Sequence, residues 1–140
     1  MSPATDLSIL TAITAGPSIV SYSLTYDKRP WTTNSERAGN RWTRAADTQE
    51  WRNAFHLLAK AHRVPPMEWI AVVAQPRMKG RLQDTAACNP AVKAAIDGIV
   101  DAGVIPDDTP DFCRTIIFMP PQRHHSNHLE LILFGVPTGG

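Results

Sequence analysis

Residues 19–26, IVSYSLTY, alternate apolar and polar side chains and are rich in β-formers, which predicts a strand with one buried face. A long polar stretch follows over residues 27–46, with Pro30, Gly39 and several arginines, and connections of that length in a compact domain often carry function. Asp47 then precedes Glu50 at the spacing of a capping box, with aspartate in place of the usual Ser or Thr. Trp51, Phe55, Leu58 and Ala61 recur at helical spacing until Val64-Pro65-Pro66, where the proline pair must end the helix. Residues 68–74, EWIAVVA, have the continuous apolar centre of an interior strand, and residues 76–81 read as a basic turn.

Asn89-Pro90 supplies a cap and a first-turn proline for a second helix. Its buried face is expected to be Val92, Ala95, Ile96, Ile99 and Val100, with Gly103 as the stop. Residues 112–119 and 128–135 predict two further strands, joined across a polar loop at 120–127 as a hairpin. The order β-α-β-α-β-β predicts an α/β domain of one mixed sheet and two helices. That domain is expected over residues 19–136, with an extension at 1–18 and a tail at 137–140.

Composition narrows the class. At 140 residues, 43% hydrophobic and 19% charged, the chain suits one globular domain and is too short for two. No apolar run approaches the roughly 18 residues of a membrane span. Residues 7–20 are mildly apolar but follow no basic stretch and are broken by Gly16-Pro17, so they read as an extension and not a leader. Cys88 and Cys113 lack paired-ligand spacing, and a reducing, cytoplasmic setting is expected. The net charge of +1 hides an asymmetry, because residues 1–81 carry eleven Lys or Arg against six acids, and residues 82–140 three against seven. The split suits an electropositive face beside an acidic pocket, as an enzyme acting on a polyanion needs. It is equally compatible with ordinary scatter of surface charge.

The acidic half holds the candidate chemistry. Lys93, Asp97 and Asp101 are spaced four apart and share one polar helix face. Asp84 precedes that helix, and Asp107 and Asp108 follow it. A helix about 20 Å long separates these groups unless its flanking loops fold back along the polar face. If they do, Asp84 and Asp108 can converge near Lys93. Mg²⁺ prefers such carboxylate oxygens, and a lysine serves as a point charge on a phosphate. Plainer readings remain: Asp107-Asp108-Thr109-Pro110 as a turn, and Lys93 with Asp97 as an exposed ion pair worth less than about 1 kcal/mol.

Lys93, Asp97, the Ala102-Gly103 step and the Asp107-Asp108 pair resemble the signature of RusA-type Holliday-junction resolvases, D-x-D-N-x-x-K-x-x-x-D followed by a D-D pair. The likeness extends over most of residues 19–135, including Trp51-Arg52 at a helix start and a closing Leu129-Glu130-Leu131 strand, though only the central segment is specific. It implies a homodimeric, Mg²⁺-dependent endonuclease that nicks four-way DNA junctions symmetrically, in a phage-infected or prophage-bearing bacterial host. Asp84 and Asp108 carry over as acids and Lys93 as the active-site lysine. Two residues after Asp84, where the family has another acid, this chain has Ala86, then Ala87 where asparagine is usual. Three more residues also separate Asp84 from Lys93 than in the shorter motif. Asp97 and Asp107 are the nearest candidates to replace the missing ligand.

Arg37, Arg41, Trp42, Arg44, Lys79 and Arg81 are the candidate DNA contacts, Trp42 because aromatic and basic residues interleave around it. Thr33 and Asn34 beside them would meet phosphates. His124, His125 and His128 read as a polar loop near DNA more readily than as a metal site, and Cys88 as a packed thiol. Trp31, Trp51 and Trp69 read as core or interface residues. Besides the nuclease, the chain admits a non-catalytic junction- or DNA-binding protein on the same fold. An unrelated α/β interaction protein is the third reading.

Overall fold

The alternation after residue 19 turns Val20, Tyr22, Leu24 and Tyr26 of β1 (Val20–Tyr26) toward one core, in which Leu24 is fully buried. The computed structural model describes residues 18–32 and 41–139. Its centre is β2 (Met67–Met78), whose Ile70, Val72 and Ala74 face one side of the sheet and Trp69, Ala71 and Val73 the other. Both sets are buried, as the continuous apolar run predicts. The helices α1 (Arg41–Ala61) and α2 (Asn89–Asp101) pack on the first side through Trp51, Phe55, Val92, Ala95, Ile96 and Ile99. Val100 is only half-buried at the edge of that face. The mixed α/β sheet with two helices matches the expected class.

The pairing of the last strands differs from expectation. β3 (Cys113–Phe118) and β5 (His128–Pro137) do not form a hairpin; β2 lies between them. β3 pairs with β2 in parallel, β5 pairs with β2 antiparallel, and β1 lies antiparallel at the far side of β5. An interior strand needs a partner on each side, and β3 and β5 supply one each. Their connection crosses the end of β2, where the two-residue β4 (Gln122–Arg123) pairs with Arg77 and Met78.

Three boundaries are also corrected. α1 starts at Arg41, so Asp47 and Glu50 lie within it and form no capping box. The polar stretch is helical from Arg41, and no apolar period marks these turns because they face solvent. Glu50 instead accepts hydrogen bonds from the Tyr26 hydroxyl and from Lys28 (2.7 Å). That carboxylate, with burial, pushes the Tyr26 phenol up to about 12. Residues 76–78 continue β2 and are not part of a turn. Their polar and proline side chains disguise a strand that still pairs as Pro76 with Leu129 and Arg77 with His128. The third boundary is the start of α2. Asn89 does not cap it; Cys88 occupies the cap without a side-chain bond, and Asp84 caps the preceding 3-10 turn (Thr85–Cys88).

A polar row crosses the second sheet face: Ser23 donates to Glu130, Arg77 donates to Glu130 (2.8 Å), and Arg77 Nε donates to Gln122 (2.9 Å). Burial raises the Glu130 carboxyl, but the Ser23 hydroxyl and Arg77 guanidinium outweigh it and hold the group below its ordinary value. With the folded-state value below the unfolded one, the row stabilises the fold above the ordinary glutamate value of about 4.3. That contribution disappears as pH falls through the folded-state value. Urea titrations are expected to show the midpoint dropping on acidification below about pH 5. In Glu130→Gln the midpoint at pH 7 is lower and the acid dependence shallower; an unchanged pH profile would remove Glu130 as its source.

Candidate active site

Asp84 has extended backbone angles (φ −61°, ψ 127°), and its carboxylate accepts the Ala86 N–H at 3.2 Å. The capped 3-10 turn is tied to the sheet by the Thr85 hydroxyl, which donates to the Met119 carbonyl at 2.5 Å. It then runs into α2, with Pro90 in the first turn where no N–H is needed. Cys88 is fully buried beneath this junction. Burial pushes its thiol up to about 11, partly opposed by Arg29, which makes it a packed and unreactive group.

Four residues apart on the polar face of α2, Lys93 donates to Asp97 at 3.0 Å. Gly103 (φ 85°) then stops the helix in the left-handed conformation that glycine tolerates. Val104 and Ile105 are buried, and the Met67 N–H donates to the Val104 carbonyl at 2.7 Å, pinning the chain to the start of β2. From there the loop returns along the helix, and the Asp108 carboxylate meets the Lys93 ammonium as a second ion pair. Asp107 lies beside them, its carboxylate accepting the Asp108 N–H at 2.7 Å. The Thr109 carbonyl closes the turn by accepting from Phe112 (2.9 Å) and Cys113 (2.8 Å). Asp101 is engaged elsewhere, by both arms of the Arg52 guanidinium across the helix pair.

Of the expected site residues, Lys93, Asp97 and Asp108 are therefore gathered at one point, with Asp107 adjacent. Asp84 is not gathered with them: it lines a pocket with Arg29, Thr32 and Arg81, beside the turn bonded to Met119 after β3, whereas the Asp108 loop leads into the start of β3. Among the described residues, no three or more His, Cys, Asp or Glu side chains form a group able to hold a metal ion. What the described residues do show is two partly exposed carboxylates, Asp97 and Asp108, converging on one cation, Lys93.

The expected DNA contacts fall in two places. Arg41, Trp42 and Arg44 lie in the first turns of α1, not in a loop. The Trp42 ring is 75% exposed with the Arg41 guanidinium 5.2 Å from its centroid. Thr33, Asn34 and Arg37 lie outside the described residues. Lys79 and Arg81 follow β2 on the turn that Arg29 spans, donating to the Lys79 carbonyl (3.1 Å) and the Arg81 carbonyl (2.7 Å). Sequence reasoning passed over Arg29, although its place directly after β1 in Asp27-Lys28-Arg29-Pro30 marked it as a strand-end cation.

The three histidines come together: the His124 ring centroid is 4.0 Å from His125 and 4.9 Å from His128. Burial, with help from Arg77 and His124, holds the His128 imidazole below its ordinary value, so it favours the neutral form. No helix among the described residues is long and apolar enough to cross a membrane.

No family model matches the chain, and no curated protein does. Among solved structures, thiamine monophosphate kinase from Aquifex aeolicus aligns with 94% of this chain and 41% of its own, at 5% identity and a TM-score of 0.42. Hydrogenase maturation protein HypE, in complex with ATP, aligns over 97% of this chain and 41% of its own, at 9% identity and a TM-score of 0.38. The chain thus spans about two fifths of each of these proteins. Likenesses this slight carry no argument about its chemistry.

Proposed function

We propose that this protein is a Mg²⁺-dependent endonuclease that hydrolyses phosphodiesters at four-way or other branched DNA junctions. The supporting observation is the return of the 106–111 loop along α2, which leaves Asp97 and Asp108 sharing the Lys93 ammonium. Two carboxylates and a cation, all partly open to solvent, are groups that suit metal-assisted phosphodiester hydrolysis. In this reading Asp108 would hold the metal with Asp97 or Asp107, and Asp84 takes no part in that centre. A Mg²⁺ ion held there would supply an activated water and charge neutralisation at the phosphate. Lys93 places its positive charge on a non-bridging oxygen and stabilises the developing negative charge. Arg81, Arg41, Trp42 and Arg44 hold the DNA backbone. Symmetric nicking of paired strands calls for two active sites, hence a homodimer.

A non-catalytic DNA binder on the same fold is the second reading, favoured by Ala86 where the resembling family has an acid. One assay separates them: purified protein is incubated with labelled four-way junction or linear duplex, in Mg²⁺ or EDTA. Nicking of the junction only with Mg²⁺ is the expected result. Tight junction binding without cleavage in any divalent metal would leave the binder, and no salt-sensitive DNA affinity would reject both.

A further inference from the structure

β1, β2, β3 and β4 all run in one direction and β5 alone runs against them. Four carboxyl ends therefore meet at one sheet edge, the place where open α/β sheets present their binding loops. An open cleft of about 720 Å³ lies there, lined by Lys28, Arg29, Lys79, His125, Ser126 and Asn127, with Asp27 the one carboxylate among the described residues.

The charge of this cleft is positive. Arg29 is held by two backbone carbonyls, which fix its guanidinium without neutralising it. Among the described residues no ion pair within 4 Å engages Lys79, and of the three cations only Lys28 is matched, by Glu50. Three cations thus face Asp27 and the Lys28 partner Glu50, and the His125 imidazole adds a further donor.

The walls are also pre-organised. Asn127 accepts the Lys79 N–H through Oδ1 at 2.8 Å, which leaves its amide NH₂ free to donate. The Ser126 N–H donates to His124 Nδ1 at 3.2 Å, His124 packs against His125 with the rings tilted, and the His124 backbone N–H is anchored on the Met78 carbonyl at 3.0 Å. Donors held in place before binding lose little freedom when an anion arrives. Arg29 also lines the adjoining pocket of Asp84 and Arg81, so the two depressions share a wall. A single phosphate would leave most of so open a surface in water, whereas a chain of phosphates covers both.

The geometry points to a phosphodiester subsite in this cleft, which continues into the Asp84 pocket and holds the backbone of a DNA strand away from the Lys93 centre. It rests on the nucleic-acid reading above, and it adds a backbone contact that positions DNA without reading its sequence.

The test is fluorescence anisotropy of a labelled four-way junction in EDTA over a salt series. Wild type is compared with Lys79→Gln, His125→Ala and the double variant, each first shown folded by urea titration. Lys79→Gln is expected to weaken binding about fivefold at roughly 0.15 M salt and to lower the salt slope by about one. Lys79→Arg restores both, and His125→Ala deepens the loss in the double variant. A folded double variant with wild-type affinity and slope overturns this inference and leaves the nuclease reading standing. A wild type without salt-dependent DNA affinity overturns that reading and this inference together. Displacement of the junction by ATP or inorganic phosphate at micromolar concentration, through the same two residues, would assign the cleft to a free phosphate compound and overturn the backbone assignment.

Discussion

Gly98→Ala is expected to destabilise the domain by about 2 kcal/mol or more, against the roughly 1 kcal/mol that alanine normally contributes over glycine in a helix. A Cβ built on Gly98 would collide with the Arg52 carbonyl oxygen and lie 2.9 Å from the His56 nitrogen, both backbone atoms of α1. Neither can rotate away as a side chain would. The two helices would have to part at the point where Ala91, Ala94, Ala95 and Gly98 bring α2 close to its neighbours. The Arg52–Asp101 pair spans the same crossing and would lengthen with it. Thermal unfolding is expected to shift down by about 10 °C. An unchanged or raised Tm would show that the crossing has slack and would remove Gly98 as the contact that sets it.

Asp108→Asn is expected to reduce Mg²⁺-dependent junction nicking by about a hundredfold or more, with little loss of stability. Asn keeps the shape of the side chain but removes the negative charge that both Lys93 and a metal require. The Lys93–Asp97 pair survives, because it lies within α2 at i,i+4 spacing. The lost ion pair is partly exposed, so its removal costs less than about 1 kcal/mol. A variant that folds and binds junction but does not cut it separates Asp108 from mere structural support. Full nicking activity in Asp108→Asn would move the reaction away from the Lys93 centre, toward the Asp84 pocket. Lys93→Ala offers an independent check, since a slower reaction with unaltered junction affinity is the signature of a group that acts on the transition state.

The acid residues show how far local sequence carries. Asp97 lies four residues after Lys93 on a well-marked amphipathic helix, so their contact follows from helical geometry alone. The contact of Asp108 does not. It depends on the Gly103 stop, the anchoring of Val104 on Met67 and the turn closed by Thr109, none of which places Asp108 until all three act together. Asp84 carries a second lesson. Its proximity to the helix start was visible, but its role as cap of the 3-10 turn was masked by Asn89-Pro90, a stronger local cap signal one turn later. The hairpin expectation failed for a related reason. A polar loop between two strands predicts neighbours only when it is too short to reach across a third strand, and the 119–127 segment is long enough to cross the end of β2.

By itself the sequence determined the elements and their buried faces: the alternation of β1, the doubly buried run of β2 and the apolar stripe of α2. It did so because periods of two and 3.6 residues are properties of the local backbone. Only the tertiary structure decided that β2 separates β3 from β5, that Asp108 returns to Lys93, and that Arg29 joins the Asp84 pocket to a basic cleft at the strand ends. Each of these joins residues far apart in the chain, and such pairings are set by the competition for burial and hydrogen-bond partners across the whole domain.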